Sequence, residues 1–329
     1  MRLRWILLGL LLTVLLVPAA LLTTARVLEP SGGTWVRLVA FTPFGLVLYA
    51  VAVPVLLLAS WRAHGFWRGA SRVLVVVALV GVLAHGYWAS GPYVGGSSAE
   101  AASGGSLRVM TSNLRFGQAD PAKVVEVALR DKVDVVVLEE VTPLALSHLR
   151  EAGIDEAFDH SAGKPADGAA GTMVFSAYRL AKVHRLGTGF GSYRMVLRTP
   201  DGPTTLLAVH PRPPIGSADD WHADQLVLRS AARSTTGPTV IAGDLNATMD
   251  HEPMRELVGR GYRDAATAAK SRWQPTWPAA GEVSRLGFPV PSLLPIDHVM
   301  TRGGPHAVRT RTVTVTGTDH RALVADLRG

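Results

Sequence analysis

Two hydrophobic patterns divide the chain. Up to about residue 95 apolar residues run almost without interruption, and beyond residue 105 they come in short runs separated by polar, amphipathic stretches. The first pattern has three segments: Trp5 to Thr24, Leu38 to Ser60, and Val73 to Tyr93. The first two carry no charged residue and reach the ~20 residues of a helix that crosses a bilayer. The third is interrupted by His85 and is expected to span as well, with a re-entrant helix as its alternative.

The second pattern predicts strands at 107–113 and 133–138, with helices at 121–131 and 142–151. Strands then cluster at 171–176, 179–186, 193–199 and 204–210, and a helix runs from Asp219 to Ser234. A strand ending on Asp244 follows, and strands at 296–301, 306–315 and 321–327 close the chain. Many strands with helices interspersed predict an α/β fold. The expectation is a four-layer sandwich, two packed mixed β-sheets flanked by helices, preceded by an N-terminal bundle of about three transmembrane helices. The expected divisions are a transmembrane region over 1–92, a Gly/Ser-rich linker over 93–105, and a second domain over 106–329.

Charge changes this picture in two ways. The chain has a net charge of +7 and a pI near 10.0, which invites a nucleic-acid reading. Residues 1–104 hold seven Arg and two Glu, however, leaving only +2 for the remainder. The excess belongs mainly to the membrane flanks, so it gives no support for a duplex-binding face. Arg302, Arg309, Arg311 and Arg321 are expected to form a solvated face on neighbouring strand positions. Arg2 and Arg4 precede the first segment, and Arg62, Arg68 and Arg72 crowd the connection between the second and third. The positive-inside tendency puts both in the cytoplasm, and three crossings then carry everything after residue 95 outside. A cleaved signal peptide ending near Ala19 and Ala20 would leave the same downstream topology. The expected location is therefore the cell membrane, multi-pass, with an extracytoplasmic domain. Cysteine is absent, which excludes disulfides and zinc–thiolate sites.

Polar residues recur where apolar strands stop. Asn113 ends the first strand, Glu139 and Glu140 the second, His210 follows Val209, and Gly243-Asp244-Leu245-Asn246 ends Val240-Ile241-Ala242. Asp297 and His298 follow Pro295-Ile296, and Asp319 and His320 precede the last strand. Each alone is an ordinary turn or surface residue. Their recurrence at strand ends places a cluster on one rim. Of the adjacent glutamates one is expected to face solvent, because successive strand residues point to opposite faces. Carboxylates and carboxamides suit a hard cation such as Mg²⁺, with Glu140 and Asp319 as ligands and Asn113 as a neutral ligand or supporting group. His210 and His320 leave room for Mn²⁺.

In order and spacing these pieces resemble the endonuclease/exonuclease/phosphatase superfamily. The matching runs are Thr111-Ser112-Asn113-Leu114, Leu138-Glu139-Glu140-Val141, Gly171 to Ser176, Val209-His210, Gly243 to Ala247, Ile296-Asp297-His298-Val299 and Gly317 to Arg321. The resemblance implies a metal on Glu140, Asn113 and Asp319, with Asp244 orienting or deprotonating water. It also implies that Asn246 holds the phosphate or that water, that His320, oriented by Asp297, donates to a non-bridging oxygen, and that His210 is a second donor. Two departures stand out: Glu139 replaces the family's usual Gln, and His210 has no evident acidic partner. Gln274-Pro275-Thr276-Trp277-Pro278 resembles a family loop near the site, which makes Trp277 a candidate substrate contact.

The implied function is a membrane-anchored, metal-dependent phosphoesterase that cleaves phosphodiesters, or monoesters, by in-line attack of water. Its substrate would be a nucleic acid, a phospholipid head group or a phosphosugar. Its other partner would be the lipid bilayer, and no partner protein is implied. The alternative is a catalytically silent membrane-tethered binding or assembly protein, whose signature would be loss of Asp244, Asn246 or His320.

Overall fold

Within a bilayer an apolar segment has no water for its backbone polar groups, so it satisfies them internally as a helix. A computed structural model, which describes residues 2–94, 105–279, 281 and 287–329, divides the chain into units Met1–Gly91 and Pro92–Gly329. The first unit contains α1 (Arg2–Leu28), α2 (Gly33–Val39), α3 (Phe44–Arg62) and α4 (Gly65–Ala89). Three of these, α1, α3 and α4, are long and apolar enough to cross a membrane. α3 starts at Phe44 because Pro43 stands at its N-terminus, where a missing N–H costs little. α4 begins well before Val73 and takes Arg68 and Arg72 into its first turns.

Leu15, Ala19, Tyr49, Ala52, Leu56, Val75 and Ala78 pack together inside this unit. His85 is fully buried there. Its Nδ1 lies 2.7 Å from Thr42 O and its Nε2 2.9 Å from Thr23 Oγ1, which in turn meets Tyr49 OH at 3.0 Å. The residue that interrupts the third apolar segment is thus a satisfied core group.

The expected linker, 93–105, lies almost wholly outside the described residues. In chain order the remaining helices are α5 (Gly91–Val94), α6 (Pro121–Arg130), α7 (Pro143–Glu151), α8 (Ile154–Ala157), α9 (Ala218–Arg233), α10 (Glu252–Gly259) and α11 (Ala265–Ala268). The strands are β1 (Ser106–Asn113), β2 (Val135–Glu139), β3 (His160–Lys164), β4 (Thr172–Ser176), β5 (Leu180–Arg185) and β6 (Tyr193–Thr199). They continue with β7 (Gly202–Val209), β8 (Thr239–Asp244), β9 (Arg263–Asp264), β10 (Asp297–Arg302), β11 (His306–Thr314) and β12 (Arg321–Arg328).

These strands make two six-stranded sheets, ordered β11-β12-β1-β2-β4-β3 and β5-β6-β7-β8-β10-β9. Both mix parallel and antiparallel pairs, and the fold is the two-sheet sandwich flanked by helices that the pattern predicts. The inner faces bury Val109, Val135, Val137, Met195, Leu206, Val240 and Val299 against each other. The outer face of the first sheet packs Val124, Val127, Leu146 and Leu149 from α6 and α7 onto Met110, Val136 and Phe175. Local chemistry fixes where these helices start: Asp120 accepts from Ala122 and Lys123 N–H ahead of Pro121, and Thr142 accepts from Ala145 N–H ahead of Pro143.

The strand directions collect the polar ends. β1 and β2 run parallel with Asn113 beside Glu139, and β7 and β8 run parallel with Val209 beside Gly243. β10 is antiparallel to β8, so its first residue, Asp297, lies opposite Asp244. β12 is antiparallel to β1 and pairs Leu323 with Thr111, so its start, just after His320, falls at the same rim. Gly243 is required there, since a Cβ would stand 1.9 Å from Val209 O on the parallel neighbour.

The arginines expected to form a solvated face are mostly engaged in the fold. Arg302 donates to Thr235 O and Oγ1 at 2.7 Å each and stacks 4.6 Å over Tyr262. Arg311 pairs with Asp131, Arg321 donates to Thr312 O, and of the four only Arg309 is exposed.

Candidate active site

Asp244 sits at the centre of the rim. The Asn246 N–H holds its Oδ1 at 2.9 Å, which leaves Oδ2 facing three groups. Asn113 Nδ2 is 3.1 Å away, His210 Nε2 3.8 Å and His320 Nε2 3.8 Å. Asn246 has a φ of +47°, which turns the chain back so that its N–H can reach the carboxylate. Its Nδ2 donates to Pro211 O at 2.9 Å, and its own O accepts from Trp221 Nε1 at 2.9 Å.

Glu140 joins by a backbone irregularity. Its φ of +58° breaks strand alternation, so neither glutamate faces solvent, against the expectation for successive strand residues. Glu140 Oε2 accepts from Phe116 N–H at 2.7 Å and Oε1 from Asn113 Nδ2 at 3.0 Å. The Arg115 N–H, 2.9 Å from Asn113 Oδ1, fixes which side of the carboxamide faces the two acids. Asn113 therefore bridges Glu140 and Asp244 through its N–H₂.

Glu139 is fully buried beside them, with Oε1 accepting from Thr111 Oγ1 at 2.8 Å. Burial, reinforced by the charge of Asp297, pushes its carboxyl well above the ordinary range. Glu139 Oε2 and Asp297 Oδ1 are buried without a hydrogen-bond partner among the described residues.

His320 is the cation of the cluster. Its Nδ1 meets Asp297 Oδ2 at 2.9 Å, and Asp297 N–H donates to Thr276 Oγ1. Burial works against its charge, but the carboxylates of Asp297 and Asp244 prevail and push its pKa up to about 10. Burial and the nearby Asp297 push Asp244 up to about 7, and burial and the nearby His320 push His210 down to about 3. His210 is thus a neutral imidazole. Phe190 packs 5.0 Å from its ring, and the Ala169 backbone and the charge of Asp224 act to raise its pKa without overcoming burial.

Asp319 is placed differently from the rest. Its Oδ2 accepts from Trp277 Nε1 at 3.2 Å, and its Oδ1 lies 3.9 Å from Arg115 Nε. Among the described residues Asp244, Asp297 and His320 bring possible ligand atoms within 4.8 Å of one another. A protonated His320 bonded to Asp297 has no lone pair for a metal, so the carboxylates are the chemically suitable donors. Oxygen donors, orphaned carboxylate atoms and a raised Asp244 pKa all fit a hard divalent cation.

Sequence patterning missed a second layer. Asp264 and His298 form another buried pair, with Oδ1 and Nδ1 2.9 Å apart, and His298 Nε2 lies 3.0 Å from Ala247 O and 3.1 Å from Pro295 O. His298 was visible beside Asp297, whereas Asp264 ends a two-residue strand that no periodicity marks.

A profile of the endonuclease/exonuclease/phosphatase family matches residues 110–320. The chain belongs to this family, whose members are generally hydrolases of phosphoester bonds and depend on divalent metals. No curated protein matches the chain. Among solved structures, D. rerio TDP2 complexed with a single-strand DNA product is similar at 13% identity and a TM-score of 0.57, over 68% of this chain and 99% of that one. A conserved protein of unknown function from Enterococcus faecalis shares 18% identity at a TM-score of 0.53, over 68% and 100%. Truncated Caenorhabditis elegans TDP2 shares 15% at 0.51, over 68% and 98%.

Proposed function

We propose that the protein is a membrane-anchored, divalent-metal-dependent phosphodiesterase whose hydrolytic unit works outside the cytoplasm. The observation that carries this reading is the convergence of Asn113, His210 and His320 on one oxygen of Asp244. Glu140 and Asp319 would hold the metal, with Asn113 orienting Glu140. A bound Mg²⁺ or Mn²⁺ would polarise the phosphoryl oxygens and offset the crowded carboxylates.

Asp244 accepts a proton from the attacking water, a role that suits a carboxylate raised to about 7. Asn246 orients that water or the phosphate with its carboxamide. The water oxygen bonds to phosphorus as the leaving oxygen departs on the opposite side. His320, held protonated by Asp297, donates to the non-bridging oxygen on which charge grows. His210 is the second donor toward the phosphate, and its neutral ring adds no charge.

The near-neutral hydrolytic unit favours a small or single-stranded phosphodiester over a duplex. Exposed Phe116, next to Glu140, and Trp277, on Asp319, offer aromatic faces beside the phosphate position, which suits a base. The single-strand product held by D. rerio TDP2 is consistent with this choice. The extracytoplasmic placement is supported by Arg62, Arg68 and Arg72 at one end of the helices.

The test is hydrolysis of bis(p-nitrophenyl) phosphate by the full chain with Mg²⁺ or Mn²⁺, followed by a panel of single-stranded DNA, phospholipids and sugar phosphates. Metal-dependent turnover that disappears in Asp244→Asn and His320→Gln is expected. Wild-type protein as inert as the variants across the whole panel would establish the silent alternative. A reporter fused after residue 105 checks topology, and cytoplasmic reporter activity would overturn it.

A further inference from the structure

The helical unit holds a cleft of about 730 Å³, unrelated to the phosphate site. That lies within the roughly 300–1,000 Å³ typical of ligand sites. It exists because facing positions are small: Gly9 on α1, Ala59 on α3 and Ala70 on α4. A Cβ at Gly9 would meet nothing within 4 Å, so this wall opens onto free space. Arg62 and His64, at and just beyond the end of α3, line the cleft together with Trp5 and Trp67.

We infer that the cleft seats an acyl chain of one anionic phospholipid, with the phosphate of its head group on Arg62 and His64. The inference rests on the reading that α1, α3 and α4 span a bilayer. Lipid tails are as apolar as leucine, so the walls can accept a chain but cannot choose among lipids. Selection must come from the polar end. No Asp or Glu occurs between Glu29 and Glu100, so Arg62 at this mouth has no acidic side chain from α3 or α4 to neutralise it. Arg68 is committed to capping α3, donating from Nε to Ala63 O at 2.8 Å, whereas the Arg62 side chain is exposed. Basic pockets between membrane helices take anionic head groups, and tryptophans favour the depth at which those groups lie.

The test is native mass spectrometry of the full chain in neutral detergent with phosphatidylglycerol or phosphatidylcholine of identical chains. Wild type should retain one phosphatidylglycerol at roughly five-fold lower lipid concentration, the equivalent of about 1 kcal/mol for one arginine at an anionic surface. Arg62→Gln should abolish the preference between lipids. Gly9→Leu, which adds atoms into open space, should abolish retention of both. Equal retention by wild type, or a preference unchanged in both variants, would overturn the proposal. So would a lipid-free dimer lost in Gly9→Leu, which would make the cleft a contact between copies. Release of the chain from membranes by alkaline carbonate would sink the spanning reading itself, whereas a retained chain without lipid preference sinks only the cleft.

Discussion

Strand β10 presents two Asp–His pairs on opposite faces, and they differ in one atom's surroundings. Asp297 faces the rim and bonds His320 at 2.9 Å, while the next residue, His298, faces away and bonds Asp264 at 2.9 Å. His298 Nε2 is covered by the carbonyls of Ala247 and Pro295, so both of its nitrogens are occupied. Among the described residues His320 Nε2 meets only a carboxylate 3.8 Å away, beyond hydrogen-bonding range, and so has a proton to give. The same pair of residue types is therefore closed off in one place and, in the proposed mechanism, left to donate a proton in the other. What separates them is whether the second nitrogen is satisfied.

The largest effect that would break this comparison is on rate. His320→Gln should lower kcat by about 10²–10⁴-fold, the usual worth of a positioned proton donor, while circular dichroism shows the unit still folded. An activity loss under ten-fold would make His320 a second brace. His298→Ala should do the reverse: breaking a buried pair costs roughly 3–5 kcal/mol of stability, measured by urea unfolding, with the folded fraction still active.

The pH dependence of each pair has a definite sign. Burial opposes charge on both partners, but Asp264 and His298 overcome it, holding His298 above and Asp264 below their ordinary values. The raised His298 stabilises fully below its unfolded value, near 6.5, and loses that contribution as pH rises through its folded value. The depressed Asp264 contributes above its unfolded value, near 3.9, and loses it as pH falls through its folded one. His320 behaves like His298, with its contribution fading up to about 10. Asp244 is the opposite case: raised to about 7, it costs stability progressively from its unfolded value up to about 7.

Two smaller effects follow on the rim. Saturating Mg²⁺ or Mn²⁺, at a hundred times its Kd, should stabilise wild type at pH 7.5 by about 2.7 kcal/mol, read as a rise in Tm that Glu140→Ala removes. Asp244→Asn should raise Tm more at pH 7.5 than at pH 4.5, because only the charged carboxylate is costly; an equal shift at both would show that burial is not the cause. The smallest effect belongs to Glu139→Gln, which keeps the shape of a side chain whose charged form burial disfavours. Stability should change by less than about 1.5 kcal/mol and rate by less than about ten-fold. A larger loss would show that Glu139 is ionised.

The helical unit repeats the lesson of satisfaction. His85 has both ring nitrogens bonded in an otherwise apolar bundle, so its burial there marks a core contact. On the rim, by contrast, Glu139 Oε2 and Asp297 Oδ1 stay unpartnered among the described residues, which is the condition of a site built to receive something.

Much of the fold was written locally. Alternating and helical periodicities located β1, β6 and α9 to within about a residue, because a half-buried strand or helix has to repeat its apolar face. The short β3, β9 and α8 carried no such signal, since they take their conformation from neighbours. The site residues were readable because each sits where an apolar run stops. Their roles were not: Asn113 as a bridge, Glu140 turned inward by a positive φ, and Asp319 held by Trp277 depend on contacts between distant segments.

The sequence by itself determined the helices fit for a membrane, the two-sheet fold and which polar residues stand at strand ends, since hydrophobic periodicity and turn chemistry act over a few residues. Only the tertiary structure decided which of two adjacent residues on β10 faces the rim partner His320 and which is sealed behind it. That choice depends on which groups, brought in from elsewhere along the chain, satisfy the second nitrogen of each histidine.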